Sequence, residues 1–168
     1  SNAPTIDPVK HSFHEVDPLY FDPDGIDLIA LAKRDITTNG GECVNCHMPQ
    51  TFYRQRHRRH DHGFTIPDPL LTKQAGIPNA CNRCHADKDA DWALSWTEKW
   101  YGDKMNRPSR QRALTVAGAR RGDAAARDGL LAMLSTNQPP YWNAVAAKLL
   151  EQWATDPTVN AALVEAAQ

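Results

Sequence analysis

The sequence predicts a mainly α chain in two parts. A loop-rich segment with short helices covers residues 1–102, and an antiparallel helical repeat region covers 103–168. Three observations carry that prediction. Eight of the twelve prolines fall in residues 1–80, where apolar residues are sparse and no long periodic run occurs. Each proline fixes its own φ and removes a backbone donor, which favours turns over long elements. From Asn79 onward apolar residues return at helical spacing, and residues 108–168 are cut by proline, glycine and aspartate into four runs of helix length.

In chain order, Pro78-Asn79 can open a short helix through "ACNRCHA". Asp89 can start a second helix carrying Trp92, Trp96 and Trp100 on one face, ended by Gly102. The tryptophan stripe reads as core packing, with an electron relay as the alternative. Helices are then expected over 108–121, 123–135, 140–154 and 157–168, punctuated by Gly122, Asp123, Pro139-Pro140 and Asp156-Pro157. A shift of 33 residues lays Ala113 on Ala146, Val116 on Leu149, Asp123 on Asp156 and Leu130 on Leu163. That period suits HEAT-like or tetratricopeptide helix pairs, while an ordinary antiparallel bundle is the plainer reading.

The 168 residues are 41 % apolar with a formal net charge of −1, a globular composition. That balance argues against a nucleic-acid partner or an acidic-membrane footprint. No run approaches the roughly 20 apolar residues of a membrane span, so no membrane insertion of this segment is expected. The opening Ser1-Asn2-Ala3 reads as the scar of a cleaved tag, with any export signal removed.

All four cysteines stand in two copies of one pattern, Cys43-Val44-Asn45-Cys46-His47 and Cys81-Asn82-Arg83-Cys84-His85. Two residues between cysteines put both sulfurs on one side of a helical turn, able to form thioethers with the vinyl groups along one edge of a haem. The next residue then brings an imidazole to the iron from the same side. Two haem c groups follow, one per motif. The alternatives are one tetrahedral zinc shared by the pairs, or a dithiol redox centre. Neither requires a histidine after each second cysteine, and Thr37-Thr38-Asn39-Gly40-Gly41 before Cys43 is loop rather than strand. Two large flat apolar groups would also stand in for the core that residues 1–90 lack.

A second axial ligand for each iron must come from His11, His14, His57, His60 or His62, or from a methionine. Met48 follows His47 too closely to reach the opposite face, and Met105 and Met133 lie in the helical part, so bis-histidine ligation is expected at both irons. His62 in "DHGFTIP" and His11 and His14 in "KHSFH" are the favoured distal ligands. His57 and His60, among arginines in "RQRHRRHDH", read as exposed. Arg54, Arg56, Arg58 and Arg59 read as a solvated run or as partners of haem propionates.

In their order, "CVNCHMP", "DHGFTIPDP", "GIPNACNRCHADKDADWA" and "KWYG" resemble the closing haem segment of bacterial multihaem c-type cytochromes. These are related to the tetrahaem cytochromes of the nitrifier hydroxylamine-oxidation pathway, and many continue into HEAT-like or tetratricopeptide repeats. The resemblance covers about residues 11–102 and, more loosely, the helical remainder. It implies single-electron transfer between redox protein partners in the periplasm or another extracytoplasmic space. Cys43, Cys46, Cys81 and Cys84 would be the haem anchors and His47 and His85 the proximal ligands, with the histidines of "KHSFH" and "DHGF" distal. Relatives carry further motifs upstream that this chain lacks, so it reads as a reduced dihaem form or as a piece whose partners include other haem domains of a longer parent. Two other functions remain open on the residues alone. One is a haem enzyme reducing a small nitrogen or sulfur oxyanion at an open iron position; the other is a zinc-stabilised helical-repeat interaction protein.

Overall fold

The structure, a computed structural model of the chain, describes residues 8–15, 40–135 and 139–167. Pro4, Pro18, Pro23 and the Thr37-Thr38-Asn39 stretch lie outside the described residues. The described chain is mainly helical. Short helices α1 (Pro8–Ser12) and α2 (Cys43–His47) precede a hairpin of β1 (Gln50–Tyr53) and β2 (His57–His60). Helices α3 (Pro69–Ala75), α4 (Cys81–Cys84) and α5 (Ala90–Tyr101) follow, with a 3₁₀ turn over Gly102–Met105. Then come α6 (Pro108–Arg120), α7 (Ala126–Ser135), α8 (Pro140–Leu150), a 3₁₀ turn over Glu151–Trp153, and α9 (Pro157–Ala166).

The chain divides into two compact units, one of Ser1–Pro69 with Pro78–Ala93, the other of Leu70–Ile77 with Leu94–Gln168. The expected boundary near residue 102 thus falls within the second unit.

The second unit holds the aliphatic core. Pro108, Pro140 and Pro157 each open a helix where an amide donor has no intrahelical partner to lose. Gly122, at φ +78°, turns the chain after α6, its N–H donating to the Ala119 carbonyl at 3.0 Å. The Asp156 carboxylate caps α9, accepting from the Thr158 and Val159 amides at 2.8 and 3.4 Å. Leu130, Leu150 and Val159 are fully buried beside Ala119, Ala126, Met133 and Ala146, with Val116, Leu149, Trp153 and Leu163 packed around them. Each large aliphatic side chain contributes about 1.5–3 kcal/mol on burial. Gly129 meets Thr115 so closely that an added Cβ would stand 2.8 Å from Cγ2, which lets α7 settle against α6.

In the first unit the buried apolar side chains among those described are Pro69, Ala80 and Ala93, whereas Phe13, Phe52, Tyr53, Phe64 and Ile66 are exposed. The hairpin here was not expected from the sequence. Its antiparallel register pairs Gln50 with His60, Thr51 with Arg59, Phe52 with Arg58 and Tyr53 with His57. The Arg56 amide donates to the Tyr53 carbonyl at 3.2 Å, while Arg54 and Gln55 hold φ of 50° and 61°. Two successive positive φ values suit a hairpin's twist but normally call for Asn or Gly, so no familiar turn signal marked the site.

Candidate functional site

Both cysteine motifs fold as single helical turns. In α2 the Met48 amide donates to the Val44 carbonyl at 2.8 Å, and in α4 the His85 amide donates to the Cys81 carbonyl at 2.9 Å. Asn79 starts the second turn, its Oδ1 accepting from the Asn82 amide at 3.1 Å and its Nδ2 donating to Asn82 Oδ1 at 2.8 Å. The Asn82 amide group in turn donates to the Lys88 and Asp89 carbonyls at 2.9 and 3.1 Å, tying the turn to the start of α5.

None of the four cysteines is in a disulfide; Cys43 and Cys84 are exposed and Cys46 and Cys81 half-buried. Burial, and then the neighbouring Cys81, Cys84 and Cys43 sulfurs, push the Cys46 thiol up to about 11. Burial also raises Cys81, with Cys84 adding to it. Both motifs lie in the first unit.

The histidines show a pattern of their own. His47 Nδ1 lies 2.8 Å from the Thr65 carbonyl and His14 Nδ1 lies 2.6 Å from the Ser12 carbonyl. A carbonyl only accepts, so Nδ1 carries a proton in both rings. The His47 and His11 rings are stacked with centres 6.0 Å apart at 20°, and the His85 and His14 rings are tilted at 44° with centres 6.3 Å apart. A metal ion gripped from opposite sides, at metal–nitrogen bonds of about 2 Å, sets two imidazole centres roughly 6 Å apart, given ring bonds of about 1.33 Å. Both pairs have that spacing. Among the described residues no group of three or more His, Cys, Asp or Glu side chains is placed to hold a metal ion.

Local backbone strain sits at the same place. Phe13 and Phe64 hold φ of 58° and 45°, beside His14 and Thr65, and non-glycine residues adopt this region at a cost of about 1–2 kcal/mol each. The turn at Phe13 brings His14 back over Ser12, whose hydroxyl accepts from the His14 amide at 3.2 Å. Gly40 makes room for that ring: a Cβ there would lie 2.8 Å from His14 Cγ and nearer to Cδ2. Phe64 lies parallel to the His47 ring with centres 4.9 Å apart, and Trp92 lies 4.8 Å from His85.

His62 is exposed, and from its loop it is Phe64 and Thr65 that reach His47. His57 is exposed as expected, but His60 is half-buried. His60 Nδ1 donates to the Met48 carbonyl at 2.7 Å, and its Nε2 lies 3.3 Å from Gln50 Nε2. Both of its nitrogens are thus engaged in holding the hairpin to the residues after the first motif. Met105 and Met133 are buried in the second unit. Sequence reasoning missed Ser12, Gly40, Phe64, Thr65 and Trp92; only the Gly40-Gly41 doublet carried a signal, of close approach.

Comparisons of the chain with family models, with curated proteins and with solved structures found no match.

Proposed function

We propose that this chain is a dihaem c-type cytochrome module that passes single electrons between redox proteins in an extracytoplasmic compartment. Cys43 and Cys46 hold one haem and Cys81 and Cys84 the other, with His47 and His85 as proximal ligands. His11 completes the first site opposite His47, and His14 the second opposite His85. The observation that carries this reading is the pair of imidazole couples at 6.0 and 6.3 Å, each including the histidine of a Cys-x-x-Cys-His turn. Two opposed donors suit a metal that brings its own ring of ligands, and a covalently tethered one suits two thiols on one helical turn.

The bound cofactor supplies reversible one-electron chemistry; the polypeptide's work is to hold, orient and insulate. Thr65 and Ser12 fix the tautomer of His47 and His14 so that Nε2 is the donor nitrogen, and their carbonyls raise the basicity of each ring. Phe64 and Trp92 pack against the His47 and His85 rings. The exposed Phe13 and Ile66 supply apolar surface of the kind a porphyrin face buries. The helical unit reads as two HEAT-like helix pairs, supported by the repeated aspartates at the starts of α7 and α9: Asp123 Oδ1 accepts from the Ala125 amide at 3.0 Å, as Asp156 accepts from Thr158.

A spectroelectrochemical titration of protein matured in a host with active cytochrome assembly tests the reading. Two one-electron transitions, both low-spin and both inert to carbon monoxide, are expected. A stable high-spin centre that binds carbon monoxide in the unaltered protein would contradict bis-histidine ligation and favour an enzyme.

A further inference from the structure

The hairpin β1–β2 is not needed to supply a ligand, yet it is built at a cost. Arg54 and Gln55 both hold left-handed φ, where glycine or asparagine would be unstrained. The residues placed there are instead a long cation and a long amide. The Tyr53 ring is flanked by two guanidinium groups, Arg54 at 5.3 Å and Arg59 at 4.9 Å from its centre. Such contacts order side chains that would otherwise sample many rotamers. Arg54, Arg56 and Arg59 are exposed, and no carboxylate among the described residues pairs with them. Phe52 stands 67 % exposed on the same hairpin.

The base of the hairpin is anchored to the first motif. His60 donates to the Met48 carbonyl at 2.7 Å and the Asp61 amide to the Pro49 carbonyl at 3.1 Å, both within two residues of His47. A partner held by the hairpin is thereby held beside that site.

We propose that the β1–β2 hairpin is the docking element for an acidic redox protein, whose carboxylates take the guanidinium forks of Arg54, Arg56 and Arg59 while Phe52 and Tyr53 form the apolar centre of the contact. The partner's redox role rests on the function proposed above; the acidic docking does not. Arginine and aromatic residues together are the composition of protein interface centres. Guanidinium forks match carboxylates two bonds at a time. With a net charge of −1 over the whole chain, the cationic hairpin also stands out as a local field able to orient an anionic partner.

The test uses flavodoxin, a small acidic flavin protein, as the probe, with binding to the full matured chain measured by calorimetry at low salt. Binding should weaken about tenfold when R54Q, R56Q and R59Q are combined, weaken similarly in added salt for the unaltered chain, and return only in part when the same positions are lysine, which restores the charge but not the fork. Equal binding by the unaltered and glutamine chains, or no binding of flavodoxin by either, overturns the proposal. Arginine-dependent retention on phosphatidylglycerol vesicles with no flavodoxin binding overturns it in favour of a membrane surface. Loss of haem from the glutamine chain, read by mass, overturns it in favour of propionate binding. A chain carrying no covalent haem that still binds flavodoxin through these arginines defeats the function proposed above and leaves the docking surface standing.

Discussion

Replacing Gly40 by alanine should convert one of the two irons, and only one, from low to high spin. The methyl carbon would stand 2.8 Å from Cγ and 3.1 Å from Nε2 of His14, and closer to Cδ2. Carbon atoms are in favourable contact at about 3.5–4.0 Å, so the ring must retreat by on the order of 1 Å. Metal–ligand bonds tolerate only about 0.2 Å. His14 therefore either leaves the iron or distorts the chain that carries it, and Phe13, already at φ 58°, leaves little slack in that direction. The three atoms nearest this methyl all belong to His14, so the His11–His47 pair should keep its spectrum. Electron paramagnetic resonance of the oxidised protein and carbon monoxide titration of the reduced protein measure the outcome, and His14→Ala should reproduce it. Two low-spin, carbon monoxide-inert centres in Gly40→Ala would refute the assignment of His14 opposite His85.

Three further outcomes follow from the same geometry. In haem-free protein at pH about 8, alkylation of Cys46, whose thiol burial pushes up to about 11, should run roughly tenfold slower than that of an ordinary thiol, the lost thiolate being partly offset by its higher nucleophilicity; peptide mapping over time reads the rate. Leu130→Ala, at a fully buried core position, should destabilise the helical unit by about 2–5 kcal/mol in urea unfolding followed by circular dichroism, without altering the haem spectrum. Asp156 has its carboxyl held below the usual range chiefly by the Thr158 amide, against some burial, with the Val159 amide and Arg127 adding to the effect. Its contribution is therefore complete above the unfolded value of about 4 and is lost as pH falls through the lower folded value. The thermal midpoint should drop over that acid range, and Asp156→Asn should flatten the drop.

The helical unit was legible because its signals are local. Pro108, Pro140 and Pro157 open the helices that the punctuation marked, and the expected run over 140–154 differs only in breaking into a 3₁₀ turn at Glu151–Trp153. The run expected from 123 starts as helix at Ala126, since Asp123 acts ahead of it through its side chain. The hairpin was hidden for a physical reason. Its strands show no apolar–polar alternation, its turn uses Arg54-Gln55 where a readable turn carries Asn or Gly, and its anchor is the backbone carbonyl of Met48. The same applies around the candidate site. Cys-x-x-Cys-His spacing announces the donors, but backbone carbonyls such as those of Thr65 and Ser12 leave no mark in residue type. Which upstream histidine lies beside which motif, His11 by His47 and His14 by His85, is likewise a long-range pairing that no local pattern encodes. His60 illustrates the limit: its charged neighbours suggest a solvated side chain, yet both its nitrogens are engaged and it is half-buried.

Covalent attachment of two porphyrins is the claim beneath all the rest, and the intact mass of the matured chain after denaturation measures it directly. The account predicts a single species heavier than the polypeptide by two haem groups, falling by one group when Cys43 and Cys46 are replaced by serine and by the other when Cys81 and Cys84 are. A pigment-free chain at the mass of the bare polypeptide, from a host that loads a control cytochrome c in the same culture, would contradict it.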